Sequence, residues 1–523
     1  MTEEEGAPLD IKFQQRFSKN LLSNVVYFVL NIIIGLALVP FFLDTLGPAA
    51  YGLVPLATSV TTYVLLIINS FNTTISRFLT LDLQNNDYIK ANVTFNTSLF
   101  GSLGVILVLA PIIFIIAWYA PVIFNIGDTV ALDVFLLFTL VFASALIRAF
   151  GSNFMVILFA YNHLEKRNYV NISNLAIQVA VVLILFVIFG PSLPAIGFSY
   201  FIAAIFSVIV AYYLSKNTCS FLSISSKYFS KSSLKEIGSA SIWITFNDIG
   251  FFVRLQISLI IVNLLFGPAA GTEYALTITW SGLLASIGSL ITSLFVPMIY
   301  SYRAKNDKVG MIIFSATAMR ITGLIIALCI GLVCIFSAQL LTLWVGEEYA
   351  LLAPLMLIVV MPVYFTILEG CAGSIFVSYL RIKIPTFANL ITGVLNVVLA
   401  IFFASTLSMG LYGVALATAI SIFLYSVVFK LTYGAYVVGA PLFTLTRAII
   451  PGFISLLILL LAGLIYTALI PVDSLLSLIV SGGIIAVIYL AVVTRFIFKD
   501  SEKKIIRSCL PSYINKIIPK WLF

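Results

Sequence analysis

Charged side chains occur inside several of the longest apolar segments of this chain. A charge in the middle of a bilayer is costly, so such residues usually face protein or water and mark a functional site. A guanidinium stays charged when it is desolvated and binds phosphate through two parallel hydrogen bonds. Four arginines against two acids therefore predict a positively charged interior that suits an anion. The six residues are Arg77, Arg148, Asp248, Arg254, Arg320 and Glu369.

Arg148 and Arg254 are the strongest candidates for lining a hydrated cavity and binding substrate. Asn247 precedes Arg254 by seven residues and shares a helix face with it, as expected for a polar stripe on a cavity wall. Arg77 and Arg320 are further substrate-binding candidates, although an arginine at a helix end, such as Arg77, can also reach the membrane surface. The alternative for all of them is pairing across helices that only locks the bundle.

Two acids and one proline complete the candidate residues. Asp248 and Glu369 are either counter-ions of the arginines or carboxylates that couple the protein to a cation, and the sequence leaves both interpretations open. Pro40 lies near the end of the first apolar segment and removes a backbone hydrogen bond there. We predict that it is the hinge of a gate, with a static kink as the alternative.

The composition places the chain in a membrane. Of its 523 residues 62% are hydrophobic and 9% are charged, and the mean hydropathy is +1.15. A surface this apolar would aggregate in water, which excludes a soluble enzyme, a nucleic-acid-binding protein and a secreted disulfide scaffold. The cysteines match no metal-site spacing, and the ATP-binding pattern G-x-x-x-x-G-K-[ST] does not occur. We therefore expect no catalytic residues, no metal and no cofactor.

Fourteen segments are apolar and long enough to be transmembrane helices, because a helix crosses a bilayer in about 20 residues. The polar N-terminus before the first segment lacks the features of a cleaved signal peptide. The long segment 351–380 is counted as one helix, tilted or kinked at Pro362. The predicted helices cover residues 21–43, 53–77, 95–119, 132–160, 170–190, 196–215, 238–266, 274–300, 309–337, 351–380, 385–404, 411–430, 448–470 and 474–495.

The basic residues support this count. With these boundaries, 24 of the 28 Lys and Arg residues lie at the termini or in alternate loops, and none lies in the opposite loops. The positive-inside rule then places both termini in the cytoplasm. The positive charge faces anionic lipid, so we expect membrane lipid as a partner and no nucleic acid.

The two halves of the chain are related. Gly47-Pro48-Ala49-Ala50 ends the first predicted helix, and Gly267-Pro268-Ala269-Ala270 ends the seventh. Asn171 is matched by Asn389 at nearly the same separation along the chain. A duplication explains the nearly constant offset, and the alternative is that Gly-Pro turns and helix-end asparagines recur independently.

Each copy holds six helices, so both copies have the same orientation in the membrane. Repeats of this kind form two bundles around a central cavity that opens to either face. The Ser- and Lys-rich segment between the copies is predicted to be a linker between rigid bodies, and the basic-apolar tail to lie on the membrane surface. The predicted domains are a cytoplasmic N-terminus (1–20), an N-lobe (21–215), a cytoplasmic linker (216–237), a C-lobe (238–430), two further helices (448–495) and a cytoplasmic interfacial tail (496–523).

These features resemble a known family. The segment 40–52, with Pro40 and its Leu-Gly and Tyr-Gly pairs, is similar to the opening signature of the polysaccharide-biosynthesis flippases. These are the Wzx-type O-antigen translocases of the MATE-like exporter superfamily, the MOP (multidrug/oligosaccharidyl-lipid/polysaccharide) superfamily. Gly197 and Gly413 at the starts of the sixth and twelfth helices also fit, and the likeness covers about 20–430.

The resemblance implies an all-α polytopic protein of the inner membrane, with two MATE-like six-helix bundles plus two C-terminal helices. The implied activity moves a polyprenyl-(pyro)phosphate-linked oligosaccharide to the outer leaflet for surface polysaccharide assembly, with cavity arginines on the pyrophosphate and coupling to Na⁺ or H⁺. The implied partners are that lipid-linked oligosaccharide and polysaccharide assembly proteins. We expect a monomer.

Two other functions stay open. A MATE-type multidrug or lipid II exporter of the same superfamily would share the fold, and binding of a cationic drug would indicate a drug exporter. A membrane polysaccharide polymerase would need a large external loop with catalytic residues, and the predicted external loops are short.

Overall fold

The fold is described by a computed structural model that covers residues 9–84, 87–124, 131–161, 163–219, 223–293, 295–379 and 381–498. Every regular element within these ranges is helical. The helices are α1 (Leu9–Leu46), α2 (Pro48–Gln84), α3 (Tyr88–Ile123), α4 (Ala131–Ala160), α5 (Leu164–Phe189), α6 (Leu193–Thr218), α7 (Lys231–Leu255), α8 (Ile257–Ser293), α9 (Val296–Ala304), α10 (Lys308–Ile335), α11 (Ser337–Val345), α12 (Ala353–Val360), α13 (Val363–Ser378), α14 (Lys383–Ile401), α15 (Gly410–Phe423), α16 (Leu431–Val438), α17 (Thr444–Leu469) and α18 (Leu475–Val492).

The all-helical membrane fold is confirmed. In the ranges that the structure describes, twelve helical stretches are long and apolar enough to cross a membrane. They do not include α2 and α7, which cover most of the second and seventh predicted helices. The predicted number of fourteen spans therefore stays a prediction. The predicted tail lies outside the described residues from 499 onward, and residues 1–8 of the predicted N-terminus lie outside them as well.

Two prolines in predicted helices behave differently. α12 ends at Val360 and α13 begins at Val363, so the helix is interrupted at Pro362, where we predicted a kink. A proline has no backbone N–H to continue the helix, and its ring clashes with the preceding turn. α1 in contrast continues through Pro40 without interruption, and the hinge at Pro40 stays a prediction.

Left-handed glycines mark matching helix ends in the two halves. Gly47 has φ of 78°, and its counterpart Gly267 has φ of 83°. Gly190 and Gly410 repeat the relation with the same offset, at 83° and 57°. Glycine adopts this backbone conformation without the strain that a side chain adds. These two pairs give the proposed duplication a structural basis.

The chain divides into two compact units. Unit 1 consists of Met1–Phe252 and Val262–Thr272, and unit 2 of Val253–Ile261 and Glu273–Phe523. The division falls inside the seventh predicted helix instead of in the predicted linker 216–237. Most of α7 belongs to unit 1 because its side chains bind α2, as in the 2.8 Å hydrogen bond from Ser241 Oγ to Thr74 Oγ1.

Part of the predicted linker is bound along α3 within unit 1. The Ser223 N–H donates to Asn92 Oδ1 at 3.0 Å, and Asn96 binds both the Ser223 carbonyl and the Ser225 N–H at 2.8 Å. The Ser230 N–H donates to Thr97 Oγ1 at 3.1 Å. Amide side chains match backbone donors and acceptors in this way. We call residues 223–230 the strap.

The core of unit 2 contains a close crossing of α10 and α17. A Cβ atom built on Gly452 would lie 2.7 Å from the backbone carbonyl carbon of Gly323 and would also overlap Tyr364 Oη. Tyr364 Oη donates to the Ile449 carbonyl at 2.6 Å, which fixes the ring against α17. Glycines allow this approach because they carry no side chain. The thirteenth predicted helix, α17, is thereby part of the core of unit 2.

Candidate functional site

A polar cavity of about 430 Å³ lies within unit 1. Its wall carries two basic residues, Arg148 on α4 and Arg167 on α5. The residues that line it include no carboxylate, so the two positive charges have no acidic counterpart in the wall. An anion is the ligand that such a site attracts. The polar lining is completed by Tyr27, Asn31, Asn69, Ser152, Asn171, Asn174, Gln178 and Ser207.

The α5 wall follows helical periodicity. Arg167, Asn171, Asn174 and Gln178 are spaced four, three and four residues apart, which places them on one face of α5. The predicted fifth helix begins at residue 170, so the sequence places Arg167 in a loop. α5 in fact begins at Leu164, so Arg167 lies in its first turn. The polar spacing on α5 is the signal that would have found these side chains.

The two arginines lie at different heights along their helices. Arg148 precedes the end of α4 at Ala160 by twelve residues, which corresponds to about 18 Å of helix. Arg167 lies three residues after the start of α5, beyond the short connection that follows α4. The structure thus confirms neither arginine as a ligand-binding group, but it places Arg148 in the cavity wall about three turns before the end of α4 and adds Arg167 from the first turn of α5.

A second cavity of about 680 Å³ adjoins the first. The two share Asn69, Ser152, Met155 and Arg167 in their walls. Beyond these shared residues, the second cavity follows one face of α2, with Phe159 of α4 among its apolar groups. The two cavities therefore adjoin at Arg167, and Arg148 lies in the wall of the first one only. The α2 residues that line the second cavity are Asn69, Asn72, Thr73, Ser76 and Thr80.

Arg254 does not line a cavity, which corrects its predicted position. Its side chain is fully buried in unit 2, with 0% exposed. Nη2 lies 3.4 Å from Glu369 Oε1, and Nε donates to Asn389 Oδ1 at 3.1 Å. A buried charge requires a partner of opposite sign, and Glu369 is that partner. The counter-ion interpretation therefore describes Glu369 in this structure.

A second cation shares the same carboxylate. Lys430 Nζ lies 3.1 Å from Glu369 Oε1, and the Ser426 hydroxyl donates to Glu369 Oε2. The Arg254 guanidinium stacks over the Tyr425 ring, with 4.4 Å from Cζ to the ring centroid. Lys430, Ser426 and Tyr425 all belong to a π-helical segment, Leu424–Lys430, whose wider turn presents them together. We call this group the Glu369 cluster.

Asp248 lies in unit 1 and is not part of that cluster. It accepts a hydrogen bond from Ser70 Oγ at 3.1 Å. In the part of the chain that the structure describes, no basic side chain forms an ion pair with it. Asn247, the preceding residue, is partly buried on α7. Asp248 thus differs from Glu369, which pairs with two basic side chains.

The remaining two predicted arginines are Arg320 in unit 2 and Arg77 on α2. Arg320 belongs to unit 2, where Nη2 donates to the Ile497 carbonyl at 2.8 Å, at the end of the helical segment that follows α18. This contact gives Arg320 a role in holding the C-terminal helix, which differs from the predicted substrate contact. Arg77 lies on α2, and its side chain lies outside the described residues.

The fold is that of the MATE transporters. A multidrug resistance MATE family transporter of the MOP superfamily, in the inward-facing conformation, matches with a TM-score of 0.66 and 14% identity, over 77% of this chain and 94% of that one. The eukaryotic MATE transporter AtDTX14 matches with a TM-score of 0.62 and 14% identity, over 84% of this chain and 99% of that one. At such low identity the likeness establishes the fold.

The sequence family is established separately. Residues 17–303 match the family described as polysaccharide biosynthesis protein, and the chain belongs to this family. The uncharacterized membrane protein EpsK of Bacillus subtilis (strain 168) is 26% identical over 491 residues, which is 94% of this chain and 97% of that protein. The family resemblance seen in the sequence is confirmed, and the chain is a multi-pass membrane protein.

Proposed function

We propose that the protein is a flippase for a polyprenyl-(pyro)phosphate-linked oligosaccharide, which it moves from the cytoplasmic to the outer leaflet of the inner membrane. The observation that carries this proposal is the cavity of unit 1, where Arg148 and Arg167 line a polar space with no carboxylate in its wall. Membership of the polysaccharide biosynthesis family supports a sugar-containing substrate.

The phosphates bind the two arginines in succession. With the termini in the cytoplasm, the start of α5 lies near the cytoplasmic face, so Arg167 meets the incoming phosphate first. Arg148 then receives it deeper in the membrane. Guanidinium groups suit this transfer because they bind phosphate in a bidentate manner and stay charged in a partly dry site.

The prenyl chain stays in the lipid while the head group crosses. Transferring a buried CH₂ group to water costs about 0.8 kcal/mol, so a long prenyl chain would be held out of a polar cavity by tens of kcal/mol. Only the phosphates and sugars need enclosure. A cavity lined by amides, hydroxyls and arginines matches these groups.

Alternating access moves the head group across. The MATE transporters with this fold include inward-facing and outward-facing conformations, and we propose that this chain alternates in the same way. Asp248 is the proposed coupling group for Na⁺ or H⁺, because it lies in unit 1 and no basic side chain among the described residues forms an ion pair with it. Glu369 is held by Arg254 and Lys430 and serves as a structural counter-ion.

A multidrug exporter is the second candidate, because the MATE neighbours include multidrug resistance transporters. The charge of the cavity decides between the two. A typical cationic drug would be repelled by Arg148 and Arg167, whereas a pyrophosphate would be attracted. Binding of a lipophilic cation to the purified protein, without binding of an isoprenyl pyrophosphate, would favour the drug exporter.

Export in cells tests the proposal. Cells that depend on this protein are complemented with the wild type, Arg148→Ala or Lys166→Ala, and surface polysaccharide is measured at equal protein level. Lys166 adjoins Arg167 in the sequence, but its Nζ binds Thr218 Oγ1 at 2.9 Å and it does not line the cavity. We expect loss of surface polysaccharide for Arg148→Ala and normal export for Lys166→Ala. Normal export by Arg148→Ala would contradict the proposal.

A further inference from the structure

One wall of the second cavity is built from a regular row of hydroxyl and amide side chains on α2. Asn69, Asn72, Thr73, Ser76 and Thr80 project from one helix face over three turns. None of these side chains carries a charge, and the positive charge of Arg167 lies at the junction with the first cavity. We call this row the α2 wall. Its hydrogen-bonding character differs from that of the arginine site.

The hydroxyl groups of the α2 wall have already used their protons. Thr73 Oγ1 donates to the Asn69 carbonyl at 2.9 Å, Ser76 Oγ to the Asn72 carbonyl at 2.8 Å, and Thr80 Oγ1 to the Ser76 carbonyl at 2.6 Å. A hydroxyl has one proton and two lone pairs. Bonded back to their own helix in this manner, these groups offer the cavity lone pairs, which are hydrogen-bond acceptors.

The α4 residue Ser152, which also lines the second cavity, likewise presents a hydrogen-bond acceptor instead of a donor. Ser152 Oγ of α4 donates to the Ala149 carbonyl at 2.5 Å and accepts from Asn72 Nδ2 at 2.6 Å. Asn72 thus uses one of its two N–H donors within the protein. Its side-chain carbonyl oxygen Oδ1 has no hydrogen-bond partner among the described residues. A buried acceptor left without a donor costs free energy that a suitable ligand group would recover.

A wall of acceptors selects a ligand that is rich in donors. Neutral sugars carry many hydroxyl donors, whereas a carboxylate offers only acceptors. It would meet the oxygen lone pairs of the α2 wall, because on the proposed function the donors of Arg167 at the junction are taken by the phosphate. Phe159, which is 45% exposed, adds an apolar surface beside the wall for the carbon face of a sugar ring. The arginines and the α2 wall thus divide the space into a site for an anion and a site for a neutral polyol.

We infer that the α2 wall is the sugar subsite and that it takes an uncharged sugar next to the pyrophosphate, in preference to an acidic one. The inference rests on the proposed function, because the phosphate site at Arg148 and Arg167 fixes which end of the substrate reaches the wall. It adds the chemical class of the sugar, which the arginines alone do not specify.

Three synthetic ligands on one short isoprenyl carrier test the inference with the purified protein. They are citronellyl pyrophosphate, the same pyrophosphate bearing glucose, and the same pyrophosphate bearing glucuronic acid. The two sugars differ only in a CH₂OH group against a carboxylate. We expect the glucose ligand to bind roughly fivefold or more tightly than the bare pyrophosphate, since each added hydrogen bond contributes about 1 kcal/mol. The glucuronic acid ligand should gain nothing.

Variants assign the effect to the wall. The triple variant Thr73→Val, Ser76→Ala and Thr80→Val removes three acceptors with little change in volume. Its affinity for each of the three ligands should equal the affinity of the wild type for the bare pyrophosphate. Thr467→Val is the matched control, because Thr467 makes the same bond within α17, to the Gly463 carbonyl at 3.2 Å. As a control for folding, the midpoint temperature of thermal unfolding is measured for the triple variant. A midpoint equal to that of the wild type shows that this variant is folded.

Two sets of results separate the inference from the proposed function. If the bare pyrophosphate binds but the glucose ligand gains nothing, or if glucuronic acid binds at least as tightly as glucose, the sugar subsite is wrong and the flippase proposal stands. Glucose selectivity that survives in the triple variant also overturns the inference. If none of the three ligands binds the wild type, the proposed function fails and the inference fails with it.

Discussion

Asn171 lines the open cavity of unit 1, whereas Asn389, its counterpart in the second half of the chain, accepts a hydrogen bond from Arg254 Nε at 3.1 Å. Gln178 and Asn396 repeat the relation with the same offset, because Gln178 lines the cavity and Asn396 Nδ2 donates to the Arg254 carbonyl at 2.9 Å. The two copies of the repeat therefore place polar groups at matching positions. Unit 2 uses them to bind its own arginine, and unit 1 leaves them facing a cavity.

The charged residues of the two units differ in the same way, because those of unit 2 are paired and those of unit 1 line a cavity. In unit 2, Arg254 and Lys430 share the carboxylate of Glu369. In unit 1, Arg148 and Arg167 line a cavity whose wall has no carboxylate. On the proposed function, the anion that balances the two arginines is the phosphate of the substrate. On that proposal, the repeat holds one ionic site that is paired within the chain and one whose anion comes from the substrate.

The Glu369 cluster makes a prediction about stability. Glu369→Gln should lower the free energy of unfolding by about 3–5 kcal/mol, because the buried Arg254 and the partly buried Lys430 lose their shared carboxylate. Arg254→Gln should cost less, since Lys430 still pairs with Glu369. Thermal unfolding in detergent measures both, and Arg381→Gln, which removes an exposed arginine of the same unit, should leave the transition unchanged. A larger loss for Arg254→Gln than for Glu369→Gln would show that the carboxylate is not the centre of the cluster.

The strap should be released when its amide partner is removed. Asn96 is fully buried and binds the backbone of both Ser223 and Ser225, so Asn96→Ala leaves these groups without partners. We expect trypsin to cleave after Lys227 at least several times faster in this variant. Val93→Ala, on the same helix, removes a side chain that makes no such bond and should keep the wild-type rate. Equal cleavage of all three proteins would mean that α3 does not hold the strap.

The crossing of α10 and α17 predicts a strong effect of one methyl group. Gly452→Ala should destabilise the protein by about 1–3 kcal/mol, because the added Cβ would overlap Gly323 and Tyr364. Gly483→Ala on α18 is the matched control, since a Cβ there meets no atom within 4 Å. The control should be neutral or slightly stabilising, as alanine favours a helix. If both variants unfold at the same temperature, the two helices do not pack as closely as described.

Asp248 should affect coupling more than binding. Asp248→Asn keeps an oxygen acceptor for Ser70 but removes the charge. In proteoliposomes, its flipping rate should no longer respond to a Na⁺ or pH gradient, while isoprenyl pyrophosphate binding is retained. Asp44→Asn, which changes an exposed acid near the end of α1, should respond as the wild type does. A normal gradient response in Asp248→Asn would exclude this carboxylate as the coupling group.

The sequence predicts the fold well because membrane-spanning helices appear in it as long apolar segments. The helical segments, the break at Pro362 and the family follow from hydropathy, proline chemistry and a short motif. The ends of the helices are harder to predict, because a polar turn such as 164–167 can continue a helix into the cavity as easily as it can form a loop. Arg167 was missed for this reason.

The partner of a buried charge is even less visible in a sequence. Arg148 and Arg254 both occur singly in apolar helices and look alike, yet one faces a cavity and the other is enclosed by Glu369 and Asn389. The difference arises from residues more than a hundred positions away, which only the folded chain brings together.

Binding of an isoprenyl pyrophosphate to the purified protein tests the central claim most directly. Farnesyl pyrophosphate should bind the wild type, and Arg148→Gln and Arg167→Gln should each weaken it about tenfold or more, as loss of a charged hydrogen bond does. Lys166→Gln removes one positive charge beside Arg167 without touching the cavity and should bind within about twofold of the wild type. If all four proteins bind farnesyl pyrophosphate equally, the cavity of unit 1 is not the phosphate site.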